Sequence, residues 1–318
     1  MRSAHTGRAT FTMTWLLFLE QCLNGLQFGL MLFLLVAGLT LIFGIMDLIN
    51  LAHGSLYMVG AYLVATLTQV SGSFVLAVPL GIAATTVIGM AVEALVLRGL
   101  YKRDHLSQVL ATFALILIAN ETTRAIWGLQ PLSLNAPQAL SGSVELLPGL
   151  HYSAFRLLII VVGLAVAALL YFVVVRTRIG MLVRAGASNR QMAMAMGTNI
   201  KWLFTAVFGA GAALCALAGA MLGPLLVVQV GMGENILILA FVTVVIGGIG
   251  SMRGAFIGAL LVGIVDTFGR AFIPTLLRSV LSPSFADAAG PSLAAISIYL
   301  LMIGVLFWKP QGLFPVGS

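Results

Sequence analysis

Charge is what this sequence has least of. Only 8% of its 318 residues are Asp, Glu, Lys or Arg, whereas a soluble domain carries about 25%. That deficit excludes an ordinary water-soluble fold. Cysteine is scarce as well. Cys22 and Cys215 both lie in apolar runs and read as small packing residues, with no CxxC and no metal-ligand spacing. No GxxxxGK[ST] is present, so the chain carries no phosphate-binding loop of its own. HExxH and GxSxG are absent too. The run GGIGSMRG (Gly247–Gly254) follows no βαβ pattern and is not a dinucleotide fingerprint. Nothing here points to catalysis, to a metal, or to a cofactor held by this chain.

What is there is apolar. Hydrophobic residues make up 61% of the chain, and 16 Lys and Arg stand against 9 Asp and Glu. In a soluble protein such a surplus would suggest nucleic acid. Here the basic residues sit in loops between apolar runs, where they set orientation in a membrane. The expectation is an all-α, polytopic helical membrane protein of about eight transmembrane segments, some of them broken or re-entrant. Residues 1–13 read as an N-terminal tail, and 14–318 as one transmembrane domain.

A span needs about 20 apolar residues. Candidates run from about Trp15 to Phe43, Leu48 to Leu67, Phe74 to Leu97, Leu106 to Trp127, Phe155 to Val175, Trp202 to Val228 and Ser292 to Trp308. Ile236 to Phe268 is too long for one straight span, and its four central glycines predict a hairpin or broken helix turning near Arg253. Residues 129–154 hold no Lys or Arg and are expected outside, as are GMGEN (Gly231–Asn235) and residues 269–291. The loops at 98–105, 176–201 and 250–254 are basic and are expected in the cytoplasm. This count puts the N-terminus outside, and a re-entrant Gly44–Gly60 would put it inside instead.

The stretch Arg176–Lys201 holds five basic residues and no acidic one. Within it, Ser188–Met196 reads as a short helix, with Ser188 or Asn189 as N-cap and Gly197 as the stop. A short exposed helix held between two spans suits the docking of another protein. Inside the apolar region, Asp47, Asn50 and His53 are spaced three apart and are expected to share one helix face. Polar groups there cost several kcal/mol against lipid. They either satisfy backbone groups at a helix break or line a pathway or gate. Glu121/Arg124, Asp266/Arg270 and Glu93/Arg98 are expected to be local ion pairs.

Three segments together carry a family resemblance: GIMDLINLAHGSLYMVGAY (Gly44–Tyr62), RAGASNRQMAMAMGTN (Arg184–Asn199) and VIGGIGSMRGAFIGALLVGI (Val245–Ile264). In order and over nearly the whole chain, they resemble permease subunits of ATP-binding-cassette importers for branched-chain amino acids, in particular the shorter of the two paired permease types. The resemblance implies a multi-pass subunit of the bacterial inner membrane. It also implies a second permease in a heterodimer, two cytoplasmic ATPases that bind the ATP and Mg, and an external substrate-binding protein. Arg184, Ser188, Asn189, Arg190, Ala193 and Gly197 would then form the ATPase-coupling surface. Asp47, Asn50 and His53 would line the substrate pathway. Relatives moving urea or short amides, or an ion- or proton-coupled secondary transporter, are the competing readings.

Overall fold

A computed structural model describes residues 3–48 and 50–314. Eleven α-helices follow one another among them: α1 (Ser3–Met46), α2 (His53–Ser71), α3 (Phe74–Leu95), α4 (His105–Trp127), α5 (Ala154–Arg176), α6 (Arg178–Ser188), α7 (Arg190–Ala195), α8 (Ile200–Leu222), α9 (Met232–Gly247), α10 (Met252–Val280) and α11 (Pro283–Trp308). Among the described residues, seven helices are long and apolar enough to cross a membrane: α1, α3, α4, α5, α8, α10 and α11. The protein is therefore a polytopic helical membrane protein. α1 extends back through residues 3–13, the stretch set apart above as a tail.

α1 and α8 form the centre. α1 packs against α10, α8 and α5, and α8 packs against α2 and α3. Their side chains are mostly buried, while α3, α4, α5 and α11 leave broad apolar faces outward. Such faces suit lipid or another membrane subunit.

The segment between α4 and α5 holds a short antiparallel hairpin, β1 (Ser143–Leu147) with β2 (Leu150–Ser153). Tyr152 and Arg156 both donate to Asn24 Oδ1, so the N-terminal half of α1 lies on the same side as this segment. At the other end, Leu313 and Phe314 donate backbone N–H groups to Ile246 and Gly247. The C-terminal segment therefore lies beside the tight α9–α10 turn that precedes Arg253.

Two expected loops are not loops. Residues 269–291 are the end of α10 and the start of α11, joined through Leu281 and Ser282. Pro283 opens α11 in the first-turn position that proline tolerates, and Pro274 and Pro291 lie inside the helices. An Arg278–Asp287 pair at 2.7 Å ties the hairpin across its tip. GMGEN is the other case. Gly231 caps α9, and Met232 and Gly233 are buried rather than exposed in an outer loop.

Candidate functional site

Two helices begin inside the protein rather than at its edge. α1 ends at Met46, Asp47 takes a left-handed backbone (φ 51°), and α2 starts only at His53. His53 Nε2 lies 3.1 Å from the carbonyl of Leu35, and its ring meets Gly38 and Gly211. Gly211 is the middle residue of α8, and Gly38 lies eight residues, about 12 Å, before the end of α1. α2 therefore starts at mid-depth. α8 ends at Leu222, the chain turns back, and α9 starts at Met232 against α2. A Cβ placed on Gly54 would come within 2.3 Å of the carbonyl of Gly233, so the two helix starts touch backbone to backbone. The α1–break–α2 and α8–break–α9 units run in opposite directions and meet at this point. Irregular backbone at membrane depth is tolerated only where protein or a water-lined path surrounds it.

Hydrogen bonds account for much of the break. Asn50 Oδ1 accepts from Ala52 N at 3.1 Å, and Ser55 N donates to the carbonyl of Ala52. On the α8–α9 side, Val228 and Leu132 exchange backbone bonds, which anchors that break to the segment after α4. Cys215 Sγ lies 3.0 Å from His53 Nε2. Asn50 Nδ2 and His53 Nδ1 are buried and have no hydrogen-bond partner among the described residues.

Asp47, Asn50 and His53 do not form one stripe. They straddle non-helical backbone, so a spacing of three carries no helical meaning there. Asp47 is exposed, whereas Asn50 and His53 are fully buried. Asn50 stands at the wall of an apolar cavity of about 350 Å³ between α2, α3 and α4, with Ser55, Val59, Ile88, Ile118 and Phe208.

The short helix expected at Ser188–Met196 is present as α7, capped by Asn189 and stopped at Gly197, and a second, unexpected helix, α6, precedes it. α6 ends at Ser188, and Asn189 turns the chain and caps α7, its Oδ1 accepting from Met192 N at 2.9 Å. Gly197 (φ 84°) closes α7, with Thr198 N bonded to Ala193 O and Gly197 N to Met194 O. Ser188, Asn189 and Gly197 are exposed. Arg184 is exposed and donates to the carbonyl of Val174. Ala193 is only 5% exposed and faces this chain's own core, so it cannot present itself to a partner. Arg190 is half-buried and donates to Ile45 O at 3.0 Å, so it is not a free rim charge. The outward face instead carries Met192, Met194 and Met196. Their alternation in QMAMAM was the available signal, since methionine is common on adaptable binding surfaces.

The expected ion pairs are formed: Glu121–Arg124 at 2.8 Å, Asp266–Arg270 at 2.8 Å and Glu93–Arg98 at 3.1 Å. Glu93 is fully buried and also accepts from the Tyr101 hydroxyl at 2.6 Å and from Thr205. Burial and the bond to Glu93 push the Tyr101 phenol well above its ordinary value, so it stays a donor.

Opposed half-helices at mid-depth, within a bundle of long apolar helices, are an arrangement that membrane transporters use. The chain belongs to the family described as the branched-chain amino acid transport system permease component, which matches residues 21–306. It is 29% identical over 310 residues to the high-affinity branched-chain amino acid transport system permease protein BraD of Pseudomonas aeruginosa, covering 93% of this chain and 95% of BraD. It is 30% identical over 283 residues to LivH of Escherichia coli K12, of the same description, covering 84% and 91%. A probable LivH from Methanocaldococcus jannaschii is 26% identical over 293 residues, covering 89% and 88%. No solved structure matches the chain. The protein is thus a multi-pass permease of the bacterial inner membrane.

Proposed function

We propose that this chain is the translocation subunit of a binding-protein-dependent importer for branched-chain, hydrophobic amino acids, driven by ATP hydrolysis on partner subunits. It works with a second, non-identical permease, two cytoplasmic ATPases that hold ATP and Mg, and an external binding protein. The observation that carries this reading is the α6–α7 loop. It is exposed, capped at both ends of α7, faced with methionines, and bonded to the end of α1 beside the break. A partner moving α7 would therefore act on the packed half-helices at mid-depth. The apolar wall beside Asn50 and Ser55 favours a solute with a hydrophobic side chain over urea or a short amide.

The test is ATP-dependent leucine uptake in proteoliposomes holding the full complex. Uptake is expected with ATP and external binding protein, and is expected to vanish when the ATPases are left out. Undiminished uptake without them overturns the reading. Met192→Lys with Met194→Lys should lower ATPase co-purification at least tenfold while the protein still inserts. The opposed half-helices at Gly54–Gly233 are also an arrangement that ion-coupled carriers use. Collapse of the proton gradient at constant ATP separates the two: uptake that follows the gradient favours the carrier.

A further inference from the structure

α1 ends at Met46 with no basic residue in its last turn. Its final carbonyls lack intrahelical donors and carry the negative end of the helix dipole. The missing donor comes from elsewhere in the chain. Arg190, the first residue of α7, donates from Nη2 to Ile45 O at 3.0 Å. Its guanidinium also lies over the Phe204 ring of α8, 5.3 Å from the centroid. Phe204 meets Tyr101 edge-on, with centroids 5.3 Å apart. The Tyr101 hydroxyl bonds to the buried Glu93 of α3 and comes within 3.8 Å of Met46 Sδ. Arg98 and Thr205 complete the Glu93 cluster. One connected set of contacts thus joins α7, the last residues of α1, α8 and α3.

We propose that Arg190 is the positioning residue that transmits movement of α7 to the α1–α2 break. The proposal rests on the ATP-driven reading above. The break begins two residues beyond Ile45; Asn50 lies within it, and His53, the first residue of α2, closes it. A shift of the Ile45 carbonyl has few ways to dissipate before it reaches them. α7 is only six residues long, and its buried Ala193 brings little area. A charged bond to a helix end is therefore its firmest attachment to α1. Arginine suits the post because it donates in a fixed plane while stacking on an aromatic face. Lysine offers the donor without the planar stack.

The experiment uses the complete complex in liposomes with wild-type, R190A, R190K and R176A permeases. Arg176 is exposed at the end of α5, outside these contacts. Co-purified ATPase, ATP hydrolysis and leucine uptake are read together as leucine moved per ATP. R190A is expected to keep ATPase capture and hydrolysis within twofold of wild type while uptake per ATP falls at least tenfold. R190K should fall between the two, and R176A should match wild type. Uptake and hydrolysis falling in step, or an unchanged ratio in R190A, overturns the proposal. If R190A does not accumulate, R190K decides: a lowered ratio supports transmission and an unchanged one removes it. Wild-type complex without ATP-dependent uptake removes the importer reading and this proposal with it. Wild-type activity with an intact R190A ratio removes only the proposal.

Discussion

Asn50 and Asn189 each accept a backbone hydrogen bond near the start of a helix, from Ala52 at 3.1 Å and from Met192 at 2.9 Å. Their surroundings are opposite. Asn189 is exposed, so water can satisfy the rest of its amide. Asn50 is fully buried, and its Nδ2 has no partner among the described residues. The same contrast separates the glycines beside them. Gly197 bends the chain in open space, while Gly54 has the backbone of Gly233 where a side chain would stand. The Asn189 cap and the Gly197 stop of the α6–α7 loop are thus built from local chain chemistry that solvent can repair. The break is built from contacts between distant segments that nothing can replace.

The sharpest way to break this contrast is bulk at the glycines. Gly54→Val should separate α2 from α9 and leave little folded permease, because overpacking costs about 1–3 kcal/mol even where neighbours yield, and here the neighbour is backbone. Gly197→Ala should cost about 1–2 kcal/mol of local backbone strain in the loop and leave the thermal midpoint of the bundle unmoved. Equal losses of detergent-solubilised, monodisperse protein in both would show that the two regions are not different in kind.

The asparagines give the next largest difference. Asn50→Leu leaves Ala52 N–H buried and unpaired, at about 1–3 kcal/mol, and should depress thermal stability as well as uptake. Asn189→Ala should cost about 1 kcal/mol of helix cap, visible as faster hydrogen exchange in α7 and not as a lower melting point. A melting point that drops more for Asn189→Ala than for Asn50→Leu would reverse the comparison.

Smaller still is the Glu121–Arg124 pair, exposed on both sides. Arg124→Gln should change stability by no more than about 0.5 kcal/mol. That result would sharpen the point that charge at the rim matters less than geometry at the centre.

The smallest effect concerns Asp104, the exposed N-cap of α4. Hydrogen bonds from the Ser107 side chain and backbone hold its carboxyl below the ordinary 3.8. A depressed folded value means that its support is full above the ordinary carboxylate value and fades as pH falls through the folded one. Amide exchange in the first turn of α4 should therefore rise only in acid, and Asp104→Ala should abolish that pH dependence.

Much of this was legible in the chain itself. Long apolar runs must become helices in a bilayer, because no other element satisfies its own backbone there. Six of the seven spans, α1, α3, α4, α5, α8 and α11, follow from composition and length for that reason. The expected span Leu48–Leu67 is instead the helix α2, which starts only at His53 and is not among the seven, and α10 runs on past the expected Phe268. The turn at Gly248–Ser251, the N-cap at Asn189 and the stop at Gly197 follow from local chemistry, since glycine and asparagine do there what they do in any chain. The Glu121–Arg124 and Asp266–Arg270 pairs follow from helix periodicity, while Glu93–Arg98, five apart, reaches past the end of α3.

The centre was not legible in that way. GMGEN looks like an outer loop because polar residues at the end of an apolar run usually are one. Its Met232 and Gly233 are buried because α2 arrives from the other side and Gly54 lets the two starts touch. The spacing of Asp47, Asn50 and His53 mimics a helix face and lies on backbone that is not a helix. Proline suggested a loop at 269–291, yet Pro283 sits where a helix accepts it. Ala193 and Arg190 looked like a docking face, and the side of α7 they occupy is set by Ile45 and Phe204, which lie far away in sequence. The sequence by itself determined which segments are helices, where they are capped and that they belong in lipid, because those choices depend on neighbours a few residues away. Only the tertiary structure decided which helices start half-way, which polar atoms are buried and which face of α7 is free, because each depends on what a distant segment brings into contact.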